Sequence, residues 1–158
     1  MTIQSLATQT LQMARDRGLK IATAESCTGG LIGGALTGIA GSSDVFDRGF
    51  ITYSNEAKHE MLGVNLDSLS QHGAVSDTVA KEMAYGAIVN SGADISVAVT
   101  GIAGPGGGTK DKPVGTVWIS VAEMGQAPIA TLFEFGDIER EQVRQKTVEA
   151  ALNLLLQL

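Results

Sequence analysis

The chain has 158 residues, 44% hydrophobic and 18% charged, a balance typical of one globular domain with a sizeable core. Its formal net charge of -6 argues against nonspecific binding to nucleic acid or to an acidic membrane, because both need basic surfaces. The single cysteine, Cys27, excludes an internal disulfide and a cysteine-cluster metal site, and no apolar run is long enough to span a bilayer. We therefore expect one domain, residues 1–158, in the cytoplasm.

Helical and strand patterns alternate in the first part of the chain. Apolar residues with helical spacing over residues 3–14 are followed by Gly18 as a stop, and residues 19–24 are typical of a short buried strand. Residues 26–30 form a turn into a second helix, and the β-formers that follow predict a strand over residues 45–53. The inward face of the second helix is expected to carry Leu31, Ala35 and Leu36.

Two capping residues place the next helices. Asn55 can cap a short helix that ends at Gly63, and Ser76 can cap a longer helix that runs to Asn90. Residues 95–100, Ile-Ser-Val-Ala-Val-Thr, then form a clear strand.

The last third of the chain completes a sheet. A glycine-rich loop over residues 101–113 leads to two strands, 115–122 and 129–135, whose short connection implies an antiparallel pair. A final helix covers residues 138–156. Because helices alternate with strands, the fold class predicted is α/β, a three-layer α/β/α sandwich with a mixed, mostly parallel β-sheet.

The turn Glu25-Ser26-Cys27-Thr28-Gly29-Gly30 is the first segment that could carry chemistry. A strand that ends in hydroxyl residues and paired glycines before a helix presents hydroxyls and free backbone N–H groups at one point, and the helix end adds partial positive charge. An anion or a developing oxyanion would be stabilised there. The plainer interpretation is a tight turn with hydroxyl caps, and Cys27 is either a nucleophile or a small buried filler.

Lys58 lies in the first turn of its predicted helix, where the helix dipole disfavours a cation. Such a lysine either extends into solvent or has a function. If it is buried beside Ser26, burial and the positive helix end would both lower its pKa. The neutral amine could then act as a base for the serine. The residues alone leave both interpretations open.

The glycine-rich segment 101–108 begins where a strand ends, which is where open α/β sheets bind ligands. Its N–H groups could cradle a phosphate, or the segment could be a surface lid. Arg140 and Arg144 lie one turn apart on the last helix and could share a phosphate or form a solvated pair. His59 and His72 have no ligand-like spacing, so we expect no metal site.

Three stretches of the sequence match one pattern. They are Ala-Glu-Ser-Cys-Thr-Gly-Gly at 24–30, Gly-Phe-Ile-Thr-Tyr-Ser-Asn-Glu-Ala-Lys at 49–58, and Thr-Gly-Ile-Ala-Gly-Pro at 100–105 followed by Lys-Pro-Val-Gly-Thr-Val-Trp at 112–118. Together they resemble the C-terminal domain of competence/damage-inducible protein A. The resemblance covers nearly the whole chain, because it extends over 40–43 and 71–76.

The resemblance implies a fold and an activity. The family has a three-layer sandwich with a mixed sheet, and its stand-alone members are nicotinamide-nucleotide amidohydrolases. They convert nicotinamide mononucleotide and water to nicotinic acid mononucleotide and ammonia, in pyridine-nucleotide salvage. The family is understood to use a Ser–Lys arrangement with no metal or organic cofactor.

The resemblance also implies roles for particular residues. Ser26 is the expected nucleophile, Lys58 its base and the acid for the leaving group, and Tyr53 a nearby hydroxyl that positions either group. Ser42 and Ser43 are rival hydroxyls, because sequence does not decide which serine faces Lys58. The residues expected to bind substrate are Thr28, Gly29, Gly30, Ser42, Ser43, Asn55, Thr100, Gly101, Gly104, Arg140 and Arg144.

A second class of function stays open at this stage. The same glycine-rich loops would suit a non-catalytic nucleotide-binding or regulatory module of competence or the DNA-damage response. In either case the expected partner is a small-molecule nucleotide, with no direct contact to nucleic acid or membrane. Assembly into a homo-oligomer is compatible with the sequence and is not decided by it.

Overall fold

The computed structural model describes all residues, 1–158. Six helices and five strands follow one another along the chain. In chain order they are α1 (Ile3–Arg17), β1 (Ile21–Glu25), α2 (Leu31–Thr37), β2 (Phe46–Ile51), α3 (Asn55–Leu62), α4 (Leu66–His72), α5 (Asp77–Val89), β3 (Ile95–Gly101), β4 (Thr116–Glu123), β5 (Ile129–Glu134) and α6 (Arg140–Leu156). None of the helices combines the length and the apolar character needed to cross a membrane.

The strands form one sheet in the order β2-β1-β3-β4-β5. Strand β1 pairs in parallel with β2 and β3, whereas β4 pairs antiparallel with both β3 and β5. Only β4 therefore runs against the other four strands, and the predicted mixed, mostly parallel sheet is confirmed. Because β1, β2 and β3 run in parallel, their carboxyl ends meet at one edge of the sheet.

The helices cover both faces of the sheet and complete the predicted three-layer sandwich. Helices α1, α2 and α6 bury Leu11, Leu36 and Leu152 on one face, together with Val97 and Val99 of β3. Helices α3, α4 and α5 pack on the other face against alanines of the central strands. Every residue of β1 is buried, which is why this strand lacks the polar alternation of a one-sided sheet.

Three local predictions are corrected by the structure. Leu31 is 42% exposed, and Ile32 takes its expected place in the core beside Leu36. The cap of α3 is Ser54, whose hydroxyl accepts the N–H of Ala57 at 3.0 Å, so Asn55 is the first helical residue. Helix α4 was not predicted.

At Gly86, α5 packs directly against the last residue of α3. A Cβ atom added there would collide with the backbone carbonyl of Leu62. We expect Gly86→Ala to lower the free energy of unfolding by about 1–3 kcal/mol, because neither backbone can yield cheaply. Gly34→Ala, in the open surroundings of α2, should instead raise it by up to about 1 kcal/mol. Urea denaturation of both variants measures this, and equal stabilities would contradict the close packing.

Candidate active site

The candidate site lies where the carboxyl ends of β1, β2 and β3 meet. Ser26 follows β1 directly, and its N–H donates to Val99 of β3 at 3.1 Å. The chain leaving β2 crosses behind it, with the Thr52 N–H bonded to the Glu25 carbonyl at 2.9 Å. Helix α3 then begins and carries Lys58 back toward the serine, so that Lys58 Nζ lies 2.9 Å from Ser26 Oγ. Two residues 32 positions apart thus form one pair.

The amine of Lys58 is buried without a carboxylate partner. The residue is 1% exposed, and its Nζ lies 2.8 Å from the carbonyl oxygen of Thr52 and 3.2 Å from that of Tyr53. These three partners can accept all three N–H groups of an ammonium, or two N–H groups of a neutral amine whose lone pair then faces the serine hydroxyl. Burial lowers the pKa of Lys58 to about 8, so a neutral form is accessible near neutral pH.

The turn after Ser26 depends on two glycines and leaves two N–H groups without a backbone acceptor. Gly29 and Gly30 have φ of 57° and 106°, a region that a residue with a side chain adopts only with strain. The N–H of Gly29 donates to the Ser26 carbonyl at 3.1 Å. The backbone N–H groups of Cys27 and Thr28 donate to no backbone carbonyl, and an oxyanion beside Ser26 would need unpaired donors of this kind.

Glu25 fixes this turn from the side of α2. Its carboxylate is 1% exposed and accepts hydrogen bonds from the Thr28 hydroxyl at 2.5 Å and from the N–H groups of Ile32 and Gly33 at 2.8 and 3.0 Å. The helix start neutralises this buried charge, because the first N–H groups of a helix lack partners within it. Sequence reasoning left Glu25 without a role, although an acidic residue before a helix was the available signal.

Cys27 is buried at the same turn and is poorly suited to attack. Burial raises the pKa of its thiol to about 11, and no basic side chain hydrogen-bonds to the sulfur. The thiol therefore stays protonated at neutral pH, whereas a nucleophilic cysteine needs its thiolate. Of the two interpretations offered by the sequence, the structure favours the small buried filler.

Tyr53 is not placed as expected. Its side chain is 63% exposed, and its hydroxyl accepts a hydrogen bond from Arg140 Nη2 at 3.2 Å rather than contacting Ser26 or Lys58. Only its backbone carbonyl reaches Lys58, because side chain and carbonyl leave the chain in different directions at the end of β2. Arg140 Nη1 donates in addition to the Gly104 carbonyl at 2.8 Å and so joins two sides of the cleft mouth.

Ser42 and Ser43 lie at the opposite edge of the sheet. They form a 3-10 turn that precedes β2, and the N–H of Ile21, at the start of β1, donates to Val45 just beyond it. The full length of β1 separates them from Ser26. This corrects the expectation that either serine could face Lys58 or bind substrate there, since a residue before a parallel strand cannot reach the edge where the strand ends.

A cleft of ≈ 200 Å³ opens at the Ser26–Lys58 pair. The predicted residues that line it are Ser26, Tyr53, Asn55, Lys58, Thr100, Gly101 and Arg140. Gly30 and Arg144 instead line a neighbouring groove of ≈ 640 Å³ between α2 and α6, which shares Arg140 with the cleft. Thr28, Gly29 and Gly104 were expected to bind substrate but line neither cavity. No group of three or more His, Cys, Asp or Glu side chains is arranged to hold a metal ion.

Arg144 contacts the turn itself. Its Nε donates to the Cys27 carbonyl at 3.1 Å and its Nη2 to the Thr28 carbonyl at 3.2 Å. Neither Arg144 nor Arg140 forms an ion pair with a carboxylate. The two arginines that looked equivalent in sequence therefore have different surroundings, one on the backbone of the turn and one across the cleft mouth.

Comparisons with known proteins agree with this architecture. A family model described as the CinA C-terminal domain matches residues 3–158. Nicotinamide-nucleotide amidohydrolase PncC from Escherichia coli (strain K12) is 48% identical over 155 residues, which are 98% of this chain and 93% of that protein. The structure of competence/damage inducible protein CihA from Agrobacterium tumefaciens superposes with a TM-score of 0.96 at 50% identity, covering 98% of this chain and 94% of that one.

Some similar proteins are much longer. A CinA-like protein from Chloroherpeton thalassium (strain ATCC 35110 / GB-78) is 51% identical over 150 residues, which are 93% of this chain and 36% of that protein. The chain thus spans about a third of the length of such relatives.

Proposed function

We propose that this chain, which belongs to the CinA C-terminal domain family, hydrolyses the carboxamide of nicotinamide mononucleotide. The products are nicotinic acid mononucleotide and ammonia, and the reaction is one of pyridine-nucleotide salvage. The observation that carries the proposal is the buried Lys58 amine 2.9 Å from Ser26 Oγ at the floor of a cleft. Relatives of nearly the same length that bear the name nicotinamide-nucleotide amidohydrolase support the choice of substrate.

Acylation begins at the Ser26–Lys58 pair. The neutral Lys58 amine takes the hydroxyl proton as Ser26 Oγ attacks the carboxamide carbon. The carbonyl oxygen of the substrate becomes an oxyanion, which the N–H groups of Cys27 and Thr28 stabilise. Lys58, now an ammonium, gives its proton to the leaving nitrogen, so that ammonia departs and an ester of Ser26 remains.

Deacylation repeats the same steps with water. Lys58 is neutral again after ammonia leaves and takes a proton from the attacking water. The second tetrahedral oxyanion collapses, the bond to Ser26 Oγ breaks, and Lys58 returns the proton to the serine. The product is the carboxylic acid, and no redox change or external proton carrier is needed for this balance.

Substrate recognition follows from the size of the cleft and the position of Arg140. A cleft of ≈ 200 Å³ suits a single aromatic ring with its carboxamide, so the ribose and phosphate extend to the cleft mouth. Arg140 is exposed there, has no carboxylate partner and keeps N–H donors beyond the two that it uses. We assign it to the 5′-phosphate, which a guanidinium binds well.

The direct test is ammonia release from nicotinamide mononucleotide by the purified protein, with nicotinic acid mononucleotide identified chromatographically. Stoichiometric formation of both products supports the proposal. Tight binding of the nucleotide without ammonia release, at any pH across the titration of Lys58, would overturn it in favour of a binding or regulatory module.

Replacement of Cys27 separates the hydroxyl from the thiol as nucleophile. Because the Cys27 thiol has a pKa of about 11, we expect Cys27→Ser to keep kcat within about threefold of the wild type. Steady-state ammonia release measures this. A loss comparable with that of a nucleophile variant would transfer the nucleophilic role to the thiol.

A further inference from the structure

In the turn from Ser26 to Gly30, three carbonyls accept hydrogen bonds while two successive backbone N–H groups have no backbone acceptor. The Ser26 carbonyl accepts the N–H of Gly29, and the Thr28 carbonyl accepts that of Leu31 at 3.1 Å. The Cys27 and Thr28 carbonyls also accept hydrogen bonds from Arg144, at 3.1 and 3.2 Å. The two N–H groups without a backbone acceptor are those of Cys27 and Thr28.

Peptide planarity turns this pattern into a geometric constraint. In a trans peptide the C=O and the N–H point in opposite directions. The Cys27 carbonyl and the Thr28 N–H belong to one peptide unit, so Arg144 fixes that N–H on the side away from α6. A rotation of the unit would replace the N–H by a carbonyl oxygen, which repels an oxyanion.

Thr28 is held from its side chain as well. Its hydroxyl donates to the buried Glu25 carboxylate, which also binds the first N–H groups of α2. Backbone and side chain of Thr28 are thus fixed from two elements, α6 and β1. A planar guanidinium reaches two successive carbonyls through Nε and Nη2, which the single ammonium of a lysine would match poorly.

We propose that Arg144 is a positioning residue that clamps the Cys27–Thr28 peptide in the orientation needed for the oxyanion site, rather than a ligand of the substrate phosphate. This rests on the proposed function, since it concerns the oxyanion of that reaction. It also gives the two arginines separate tasks: Arg140 binds the phosphate at the cleft mouth, and Arg144 acts through the backbone beside Ser26.

The test compares Arg144→Lys and Arg144→Met with Arg140→Ala, using nicotinamide mononucleotide as substrate and ribose 5-phosphate, which lacks a carboxamide, as inhibitor. For both Arg144 variants we expect kcat to fall by about 10²-fold, the effect of losing one oxyanion donor, with KM and the inhibition constant changed less than about threefold. Arg140→Ala should weaken the binding of both substrate and inhibitor, raising KM and the inhibition constant, with a smaller effect on kcat. Lys146→Ala, exposed on the same helix, is the control for unchanged activity.

Two further readouts separate positioning from stability. Thermal unfolding of each variant shows whether the folded fraction is altered, and added ethylguanidinium should restore part of the kcat of Arg144→Ala. If ribose 5-phosphate inhibits the Arg144 variants more weakly than the wild type, or if their kcat is unchanged, the clamp is overturned while the proposed function stays intact. Absence of ammonia release by the wild type would overturn both.

Discussion

Replacing Ser26 by alanine is expected to lower kcat for hydrolysis of nicotinamide mononucleotide by about 10⁴-fold or more, because the ester intermediate can no longer form. The change removes one oxygen atom from a buried site, so the fold should persist. Ammonia release under saturating substrate measures the loss. Mass spectrometry of acid-quenched enzyme should detect the nucleotide ester on the peptide containing Ser26 in the wild type and not in the variant.

Ser42 offers a matched control. Both serines are 8% exposed, so their alanine variants perturb burial to the same extent. Ser42 lies at the amino end of β2, far from Ser26. We therefore expect Ser42→Ala to keep kcat within about twofold of the wild type. Equal losses in the two variants, or full activity in Ser26→Ala, would remove Ser26 from the nucleophilic role.

The layered architecture could be predicted because each central element has a strong local pattern. Strand β3 has the sequence Ile-Ser-Val-Ala-Val-Thr-Gly, a continuous run of small and β-branched residues. Such a run indicates a strand that is buried on both faces, as β3 is. Helix α4 escaped prediction because its seven residues bury only Leu69, so no helical period can be recognised. Tertiary packing against α5, rather than local pattern, keeps this helix in place.

The site was only partly predictable for a different reason. The carboxyl end of β1 could be identified as a ligand site from its turn residues, but the partner of Ser26 depends on where α3 begins. Strand β2 ends at Ile51, earlier than its β-forming residues suggest, and the carbonyls of Thr52 and Tyr53 are bonded to Lys58 instead. The rival Ser42 could be set aside only once strand directions were known.

Lys58→Met is the second substitution with a large expected effect on catalysis. Methionine fills a similar volume without an amine, so no group remains to accept the serine proton or to protonate the leaving nitrogen. We expect kcat to fall by about 10³-fold or more, at the upper end for loss of a general base. In the wild type, kcat/KM should rise with pH and level off above a midpoint near 8, because only the neutral amine is a base. A pH-independent kcat/KM would contradict this role.

The same variant tests the cost of burying the amine. The pKa of Lys58 falls from its ordinary value of 10.5 to about 8 in the folded chain, so below pH 8 the amine is protonated in both states and its burial destabilises the fold. Between those values the unfolded chain binds more protons than the folded one, so wild-type stability rises with pH. Above them the amine is neutral in both states.

Lys58→Met lacks this titration, which makes the difference between the two proteins informative. Lost hydrogen bonds to the Thr52 and Tyr53 carbonyls shift the difference by a constant, and groups that do not interact with Lys58 cancel. Relative to the wild type, we expect the variant to lose about 3 kcal/mol of unfolding free energy as the pH rises through that window. Urea denaturation at several pH values measures the difference. A pH-independent difference would mean that Lys58 titrates alike in both states, and the buried amine would then not be primed as a base.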